Sequence, residues 1–405
     1  MNHIKIFVSY ILNCCTKKKK NSIYARIMAN SKYDKYDVLN CNSSNLLRLI
    51  NNLAEKKQEK DLTIYLEYFD DNRLESYLRF AKEVERNNVK LIMLKGFSKD
   101  GHLLSRYYNR LYNAFKRFSS ILWLSETGDT RFDGKLKCQT EICLNYFISC
   151  KNDYIIGKDR RWEKLDVLIT TALLPSHIIS STEGVHLSSC KSLGFPRNDS
   201  LIDSNKAHEI KRDLSKRIGY YPAYLFIYAP TFRDYERSSN AERYLMGYPC
   251  KELASFLLQN HAVLIYKLHP LQNMNIIQAE ECMIPYEASY NWSFYDLLAA
   301  SSCLIGDYSS VNLDYLLTNK PIIYNLYDYD DYIESRGLSF DPYIDFCPGE
   351  RVTNETDLIK ALSDVIQNND LYQEARHRIS RIMHKNQDNS STERVIDFIQ
   401  TNYLT

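Results

Sequence analysis

Four short stretches of this 405-residue chain hold side chains suited to binding a phosphorylated ligand. Arg197 lies in Gly194-Phe195-Pro196-Arg197-Asn198-Asp199. Pro230 and Thr231 open Pro230-Thr231-Phe232-Arg233-Asp234. Lys267 and His269 lie in Lys267-Leu268-His269-Pro270, and Ser309 and Ser310 in Asp307-Tyr308-Ser309-Ser310, with Asp314 one turn further on. Cationic donors and hydroxyls of this kind hold phosphate oxygens through charge-assisted hydrogen bonds. Ser309 and Ser310 precede the expected helix Val311–Leu317, where unpaired N–H groups and the helix dipole favour anions. Each stretch also has a plainer reading. Serine and aspartate are preferred helix caps, and a histidine before proline can be an ordinary turn residue. Convergence on one face is what would distinguish a site from four unrelated turns.

The elements that must position these residues follow from alternation of strand-like and helix-like segments. Leu62–Phe69, Val89–Leu94, Ile121–Leu124 and Val167–Thr170 have strand composition, while Asn72–Asn87 and Leu103–Phe118 have helical periodicity. After a break at Gly194–Asp199 and the polar helical stretch Asp203–Ile218, alternation resumes. Tyr224–Ala229, Ala262–Leu268, Cys303–Gly306 and Ile322–Tyr324 read as strands, with helices over Lys251–Gln259 and Phe294–Ala300. Such alternation predicts βαβ units and parallel sheets. The fold class is therefore α/β: two Rossmann-like domains, residues 21–202 and 203–405, with helices closing the second. Ligands in these sheets bind beyond the carboxyl ends of the strands, and all four stretches stand at such ends or in the turn between domains.

Bulk composition narrows the chemistry. The net charge of +2 with 25% charged residues offers no basic excess for nucleic acid. Eleven scattered cysteines without a C-x-x-C pair fit reduced thiols in a cytosolic compartment. No apolar run reaches the ~20 residues of a membrane span. Neither a P-loop nor a G-x-G-x-x-G turn is present, and no metal-ligand spacing occurs. The acidic group Asp328, Asp330 and Asp331 reads as a solvated loop, so neither metal nor cofactor is expected. Residues 1–20 form a separate segment. Ile4, Phe7, Val8, Ile11 and Leu12 recur at helical spacing before Lys17, Lys18, Lys19 and Lys20. This suits either a peripheral contact with an anionic membrane or a first helix followed by a solvated charge run.

In order and spacing, the four stretches resemble the CDP-glycerol glycerophosphotransferase family, whose members build teichoic acids and related capsule polymers. The stretch from Arg336-Gly337 to Pro348-Gly349 and the segment Ser391–Arg394 continue the likeness. The resemblance implies a GT-B fold, with two Rossmann-like domains facing a cleft. It also implies a donor site for a CDP-alcohol at Arg197, Pro230, Thr231, Lys267, His269, Ser309, Ser310 and Asp314. Arg197 and His269 would offset pyrophosphate charge, and His269 would stabilise the leaving group. The expected activity is transfer of a glycerol- or ribitol-phosphate unit to a lipid-linked or polymeric envelope glycan, releasing CMP. Its expected place is the cytoplasmic face of the cell membrane. One departure stands out. The family's Trp-His-Gly stretch, whose histidine serves as general base, aligns here with Phe147, Ile148 and Ser149, so the base is unassigned. His102, His177 and His186 read as surface or packing residues. A GT-B glycosyltransferase using a nucleotide sugar and a non-catalytic donor-binding relative are the alternative readings.

Overall fold

The computed structural model describes residues 8, 11–26, 44–55, 62–68, 80, 82, 84, 89–95, 103–126, 135–148, 150, 162–202, 206–231, 233, 245–268, 281–287 and 292–404. Its first sheet contains β1 (Lys19–Arg26), β2 (Leu62–Tyr68), β3 (Val89–Lys95), β4 (Ser120–Ser125), β5 (Thr140–Cys143), β6 (Val167–Thr170) and β7 (Cys190–Ser192). The second contains β8 (Tyr224–Tyr228), β9 (Ala262–Tyr266), β10 (Met283–Pro285), β11 (Cys303–Gly306), β12 (Ile322–Asn325) and β13 (Glu350–Val352). Every ladder is parallel. The spatial orders are β3-β2-β1-β4-β5-β6-β7 and β10-β9-β8-β11-β12-β13. This is the GT-B architecture of two doubly wound α/β units. In each sheet the order reverses between the first and fourth strands, and ligands settle at such switch points. Because helices cover both faces, strands such as β6, β9, β11 and β12 are buried along their whole length. That is why they read as continuous apolar runs without alternation.

The segment before β1 packs in part on the first domain, while Val8, Ile11 and Leu12 stay exposed. Residues 11–14 are helical, but Asn13 is fully buried and its Nδ2 donates to Gln139 Oε1 at 2.6 Å. Lys18 Nζ turns inward to the carbonyl oxygens of Asn13 and Phe118, each at 2.7 Å. Lys19 opens β1, which lies between β2 and β4. Three of the four lysines are thus built into the first domain, Lys18 by its side chain and Lys19 and Lys20 as the start of β1. Most of Asn72–Asn87 lies outside the described residues.

The chain closes by crossing back to its first domain. Helices Gln373–Met383 and Ser391–Tyr403 follow the second sheet. Asp199 Oδ1 accepts from Ser391 N–H at 2.8 Å, and Asp199 Oδ2 accepts from Thr392 N–H at 2.9 Å and Thr392 Oγ1 at 2.6 Å. Arg48, on the first-domain helix Asn45–Glu55, donates to Ser200 Oγ at 2.5 Å and Thr392 Oγ1 at 3.3 Å. Gly194 has φ +88, and a Cβ there would come within 2.4 Å of Ser391 Oγ. The turn between the domains can therefore be this tight only with glycine.

Candidate functional site

At the second sheet's switch point, the turns after β8 and β11 are locked together by a buried polar network. Thr231 N–H donates to both Asp307 carboxylate oxygens, at 3.0 and 2.8 Å, and its hydroxyl donates to Asp307 Oδ1 at 2.8 Å. Arg233 bridges two carboxylates, donating to Asp307 Oδ2 at 2.5 Å and to Asp328 Oδ2 and Oδ1 at 2.7 and 3.0 Å. The Tyr308 hydroxyl adds a 3.0 Å bond to Asp328, and the guanidinium lies over the Tyr308, Tyr327 and Tyr332 rings. Burial alone would lower the pKa of Arg233, but Asp307 and Asp328 hold it well above the usual value. The Asp328 carboxylate is therefore not the solvated loop residue expected from its acidic neighbourhood; Asp330 and Asp331 are exposed as expected. A buried charge needs a partner, and for Asp328 that partner stands 95 positions earlier in the chain.

The same turn carries the serine pair. Asn312 Nδ2 donates to Asp307 O at 2.6 Å, and the Tyr343 hydroxyl donates to that oxygen at 2.6 Å. Asn312 packs against Gly306 so closely that a Cβ on Gly306 would fall 1.9 Å from Asn312 Oδ1. The helix that follows is shorter than expected: Val311–Tyr315, continuing as a 3₁₀ turn over Leu316–Thr318. So short a helix offers little dipole, which leaves the serine hydroxyls as the groups presented. Ser310 is the N-cap but makes no side-chain capping bond, and Ser309 Oγ accepts only a long 3.5 Å contact from Val311 N–H. Both serines are partly exposed, so simple capping does not account for them.

Arg197 reaches this helix from the interdomain turn. Its Nη2 donates to Asp314 Oδ2 at 2.8 Å, while Asn198 Nδ2 donates to Asp314 Oδ1 at 3.0 Å and the Tyr295 hydroxyl to Oδ2 at 2.7 Å. Asp314 is fully buried and Arg197 nearly so. Burial opposes the Arg197 charge, but Tyr295 and Asp314 raise its pKa above the ordinary arginine value. Arg197 and Asp314 thus face each other, and together they clamp the serine-bearing helix to the junction. Asn45 extends this clamp into the first domain. Its Oδ1 accepts from Arg197 N–H at 3.0 Å, and its Nδ2 donates to Asn145 O at 2.5 Å. Lys267 follows β9, with its ammonium 4.4 Å from the Phe294 ring centroid. Pro230 is partly exposed, whereas Thr231 is buried. His269 lies outside the described residues.

On the first-domain side, Asn145 adopts φ +58 just after β5, and Phe147 and Ile148 follow. Ile148 is 1% exposed and belongs to the large apolar core. Ser149 lies outside the described residues, as does His102. His177 and His186 are exposed, and His186 caps a 3₁₀ turn by accepting from Ser188 N–H. Among the described residues no group of His, Cys, Asp and Glu side chains could hold a metal ion.

Sequence reasoning did not assign roles to Arg233, Asp307, Tyr295, Asn198 or Asn45. Arg233, Asp307 and Asn198 stand inside the quoted stretches, so the signal was present. Asn45 and Tyr295 stand in unremarkable helical sequence and carry none.

Behind the serine-bearing helix, His384 Nε2 lies 2.8 Å from Leu313 O, and burial lowers its pKa below the ordinary 6.5 despite nearby Asp314. The unfolded chain therefore takes up this proton at a higher pH than the folded chain does. Stability from this group is complete above pH 6.5 and declines as pH falls from there towards the folded value. His384→Gln is expected to flatten the fall in Tm below that pH, measured by calorimetry across a pH series.

Comparison with known proteins adds to this geometry. The teichoic acid glycerol-phosphate primase of Bacillus subtilis (strain 168) is 29% identical over 230 residues, 56% of this chain and 55% of that protein. The teichoic acid ribitol-phosphate polymerase TarK of Staphylococcus aureus (strain NCTC 8325 / PS 47) is 29% identical over 205 residues, 50% of this chain and 39% of that protein. The chain thus spans only about half, or less, of these relatives' own lengths. The solved structure of the wall teichoic acid polymerase TagF superposes with a TM-score of 0.70 at 19% identity, covering 99% of this chain and 96% of that one. UDP-GlcNAc 2-epimerase from Neisseria meningitidis superposes with a TM-score of 0.54 at 11% identity, covering 94% and 100%. These superpositions establish the fold. The family model for CDP-Glycerol:Poly(glycerophosphate) glycerophosphotransferase matches residues 151–401, more than half of the chain and all of its site-bearing second sheet. The chain therefore belongs to the CDP-glycerol:poly(glycerophosphate) glycerophosphotransferase family.

Proposed function

We propose that this protein transfers a glycerol- or ribitol-phosphate unit from a CDP-alcohol to a cell-envelope glycan and releases CMP. The observation that carries the reading is the pair of uncommitted hydroxyls, Ser309 and Ser310, fixed at the switch point by two buried ion-paired clusters. The acceptor hydroxyl oxygen attacks the phosphorus bearing the polyol, the phosphoanhydride bond to CMP breaks, and the hydroxyl proton passes to a base. Ser309 and Ser310 donate to the phosphate oxygens as charge shifts onto departing CMP. Lys267, and His269 two residues further along the chain, supply positive charge for that step. Arg197, Thr231 and Asp314 hold the two turns in register, and Pro230 shapes the wall beside them. The acceptor is a lipid-linked glycan met at the inner membrane surface, with the protein peripheral. No helix among the described residues is long and apolar enough to cross a membrane.

Incubation with CDP-glycerol or CDP-ribitol and a lipid-linked acceptor is expected to release CMP. Absence of CMP with either donor defeats the reading. One observation favours a second reading, a donor-binding relative without turnover: Ile148, which the sequence resemblance sets against the family's histidine, is buried in the apolar core. Binding of CDP-glycerol by calorimetry with no CMP release would select it.

A further inference from the structure

Polyol-phosphate transfer makes one chemical demand that the second domain does not meet: a group on the acceptor side must take the proton of the attacking hydroxyl. Ligands settle beyond the carboxyl edge of a parallel sheet at its switch point, which in the first sheet lies between β1 and β4. Glu126 is the residue that follows β4 at this point, and it is partly exposed. Leu144 N–H donates to Ser125 O at 2.7 Å, so Glu126 leaves the sheet beside the Asn145 turn.

Local contacts hold this carboxylate at the junction. Ser44 Oγ donates to Glu126 Oε1 at 2.5 Å, and Leu46 N–H donates to the same oxygen at 3.1 Å. Asn45, between those two residues, accepts from Arg197 N–H at 3.0 Å. Consecutive Cα atoms stand ~3.8 Å apart, so this three-residue bridge keeps the carboxylate within about 10 Å of the Arg197 backbone. Burial opposes the Arg197 charge, and Glu126 is among the groups, after Tyr295 and Asp314, that raise its pKa. Arg197 in turn grips Asp314, whose N–H donates to Ser310 O at 3.2 Å. One clamp thus sets a first-domain carboxylate in register with the serine hydroxyls of the second domain.

The neighbouring groups are committed or misplaced. Glu67 accepts from Tyr24, Arg26 and Asn113. Asp199 is spent on Ser391 and Thr392, and Asp314 on Arg197, Asn198 and Tyr295. Burial pushes the Glu141 carboxyl up to about 8. Glu141 N–H, however, donates to Asp166 Oδ2 at 2.7 Å, just before β6 opens, which places it towards the amino edge. Tyr146 is exposed beside β5, but a neutral phenol is a poor proton acceptor. His177 stands on the helix after β6, two strands from the switch point.

We propose that Glu126 is the general base of the transfer reaction. Its carboxylate takes the acceptor proton as the acceptor oxygen bonds to phosphorus. The phosphoanhydride bond breaks with its electron pair passing to CMP, and the Glu126 carboxyl then returns the proton to water. This rests on the transfer reading and names the residue which that reading leaves open.

The test is Glu126→Gln. Its amide oxygen still accepts from Ser44 and Leu46, so helix Asn45–Glu55 stays capped, but it cannot hold the proton. With CDP-glycerol or CDP-ribitol and a lipid-linked acceptor, kcat for CMP release should fall about 10²–10⁴-fold. Tm and the calorimetric affinity for CDP-glycerol should not change. The acid limb of the kcat/KM pH profile should vanish in this variant. It should persist in Glu126→Asp, which loses less kcat and serves should the glutamine variant fail to fold. Added formate should restore part of the turnover of Glu126→Ala, a rescue that a helix cap would not give. The assignment is overturned, with transfer intact, if the intact chain releases CMP and the folded glutamine or aspartate variant does so at the same rate. It is overturned equally if Tm and donor affinity fall together with kcat. No CMP from the intact chain defeats the transfer reading itself, and this assignment with it.

Discussion

Replacing Arg233 with methionine is expected to destabilise the protein by about 3–5 kcal/mol, the usual cost of stripping one partner from a buried ion pair. The side chains of Arg233, Asp307 and Asp328 are 3%, 1% and 4% exposed. Without the guanidinium, two buried carboxylates beside Tyr308 and Tyr332 lose the cation that bridges them. Urea denaturation followed by tryptophan fluorescence measures the change. Arg233→Lys should recover only part of it, because an ammonium cannot form the two-bond contact with Asp328 while also holding Asp307. Adding Asp328→Asn to Arg233→Met should also recover part, since one of the stranded charges is removed. A loss below about 1 kcal/mol for Arg233→Met would mean that the network does not hold the turns together.

Removing both hydroxyls, Ser309→Ala/Ser310→Ala, is expected to act in the opposite way, on turnover and hardly on stability. Neither side chain is tied into a strong internal bond, so unfolding free energy should change by no more than about 0.5 kcal/mol. If the hydroxyls meet phosphate oxygens as charge develops, kcat for CMP release should fall by about 10²–10³-fold, as for loss of an oxyanion donor. An unchanged kcat with a raised KM would make them ground-state contacts only. Asp314→Asn makes the contrast. It leaves Arg197 without its ionised partner at a fully buried position, so both stability and turnover should drop.

The two variants separate residues that present chemistry from residues that hold them, a distinction only partly legible in the chain. Phe294–Ala300, Cys303–Gly306 and Val167–Thr170 were readable to the residue because a strand buried on both faces, or a helix opened by the capping box at Ser293, is locally encoded. Strand β1 was not readable. Its opening lysines look solvated, and its apolar core Ile23–Ala25 is too short to declare itself without β2 and β4 alongside. Helix Val311–Leu317 was expected to continue where it tightens into a 3₁₀ turn, since apolar periodicity does not mark that change. Asp328 was misread for a different reason. Composition reports an acidic neighbourhood, whereas burial depends on a cation that folding brings from elsewhere.

By itself, the linear order of residues determined the two-domain α/β layout, the sites of the four strand-end turns and the residue types they carry. These are matters of local periodicity and turn chemistry, which need no knowledge of distant partners. Tertiary structure alone decided which of those residues satisfy one another. It paired Arg197 with Asp314 and Arg233 with Asp307 and Asp328, left the Ser309 and Ser310 hydroxyls on offer, and enclosed Ile148 in the core. Burial and charge neutralisation are long-range properties of a packed chain, so the division of these side chains between scaffold and site is made only when the sheets close.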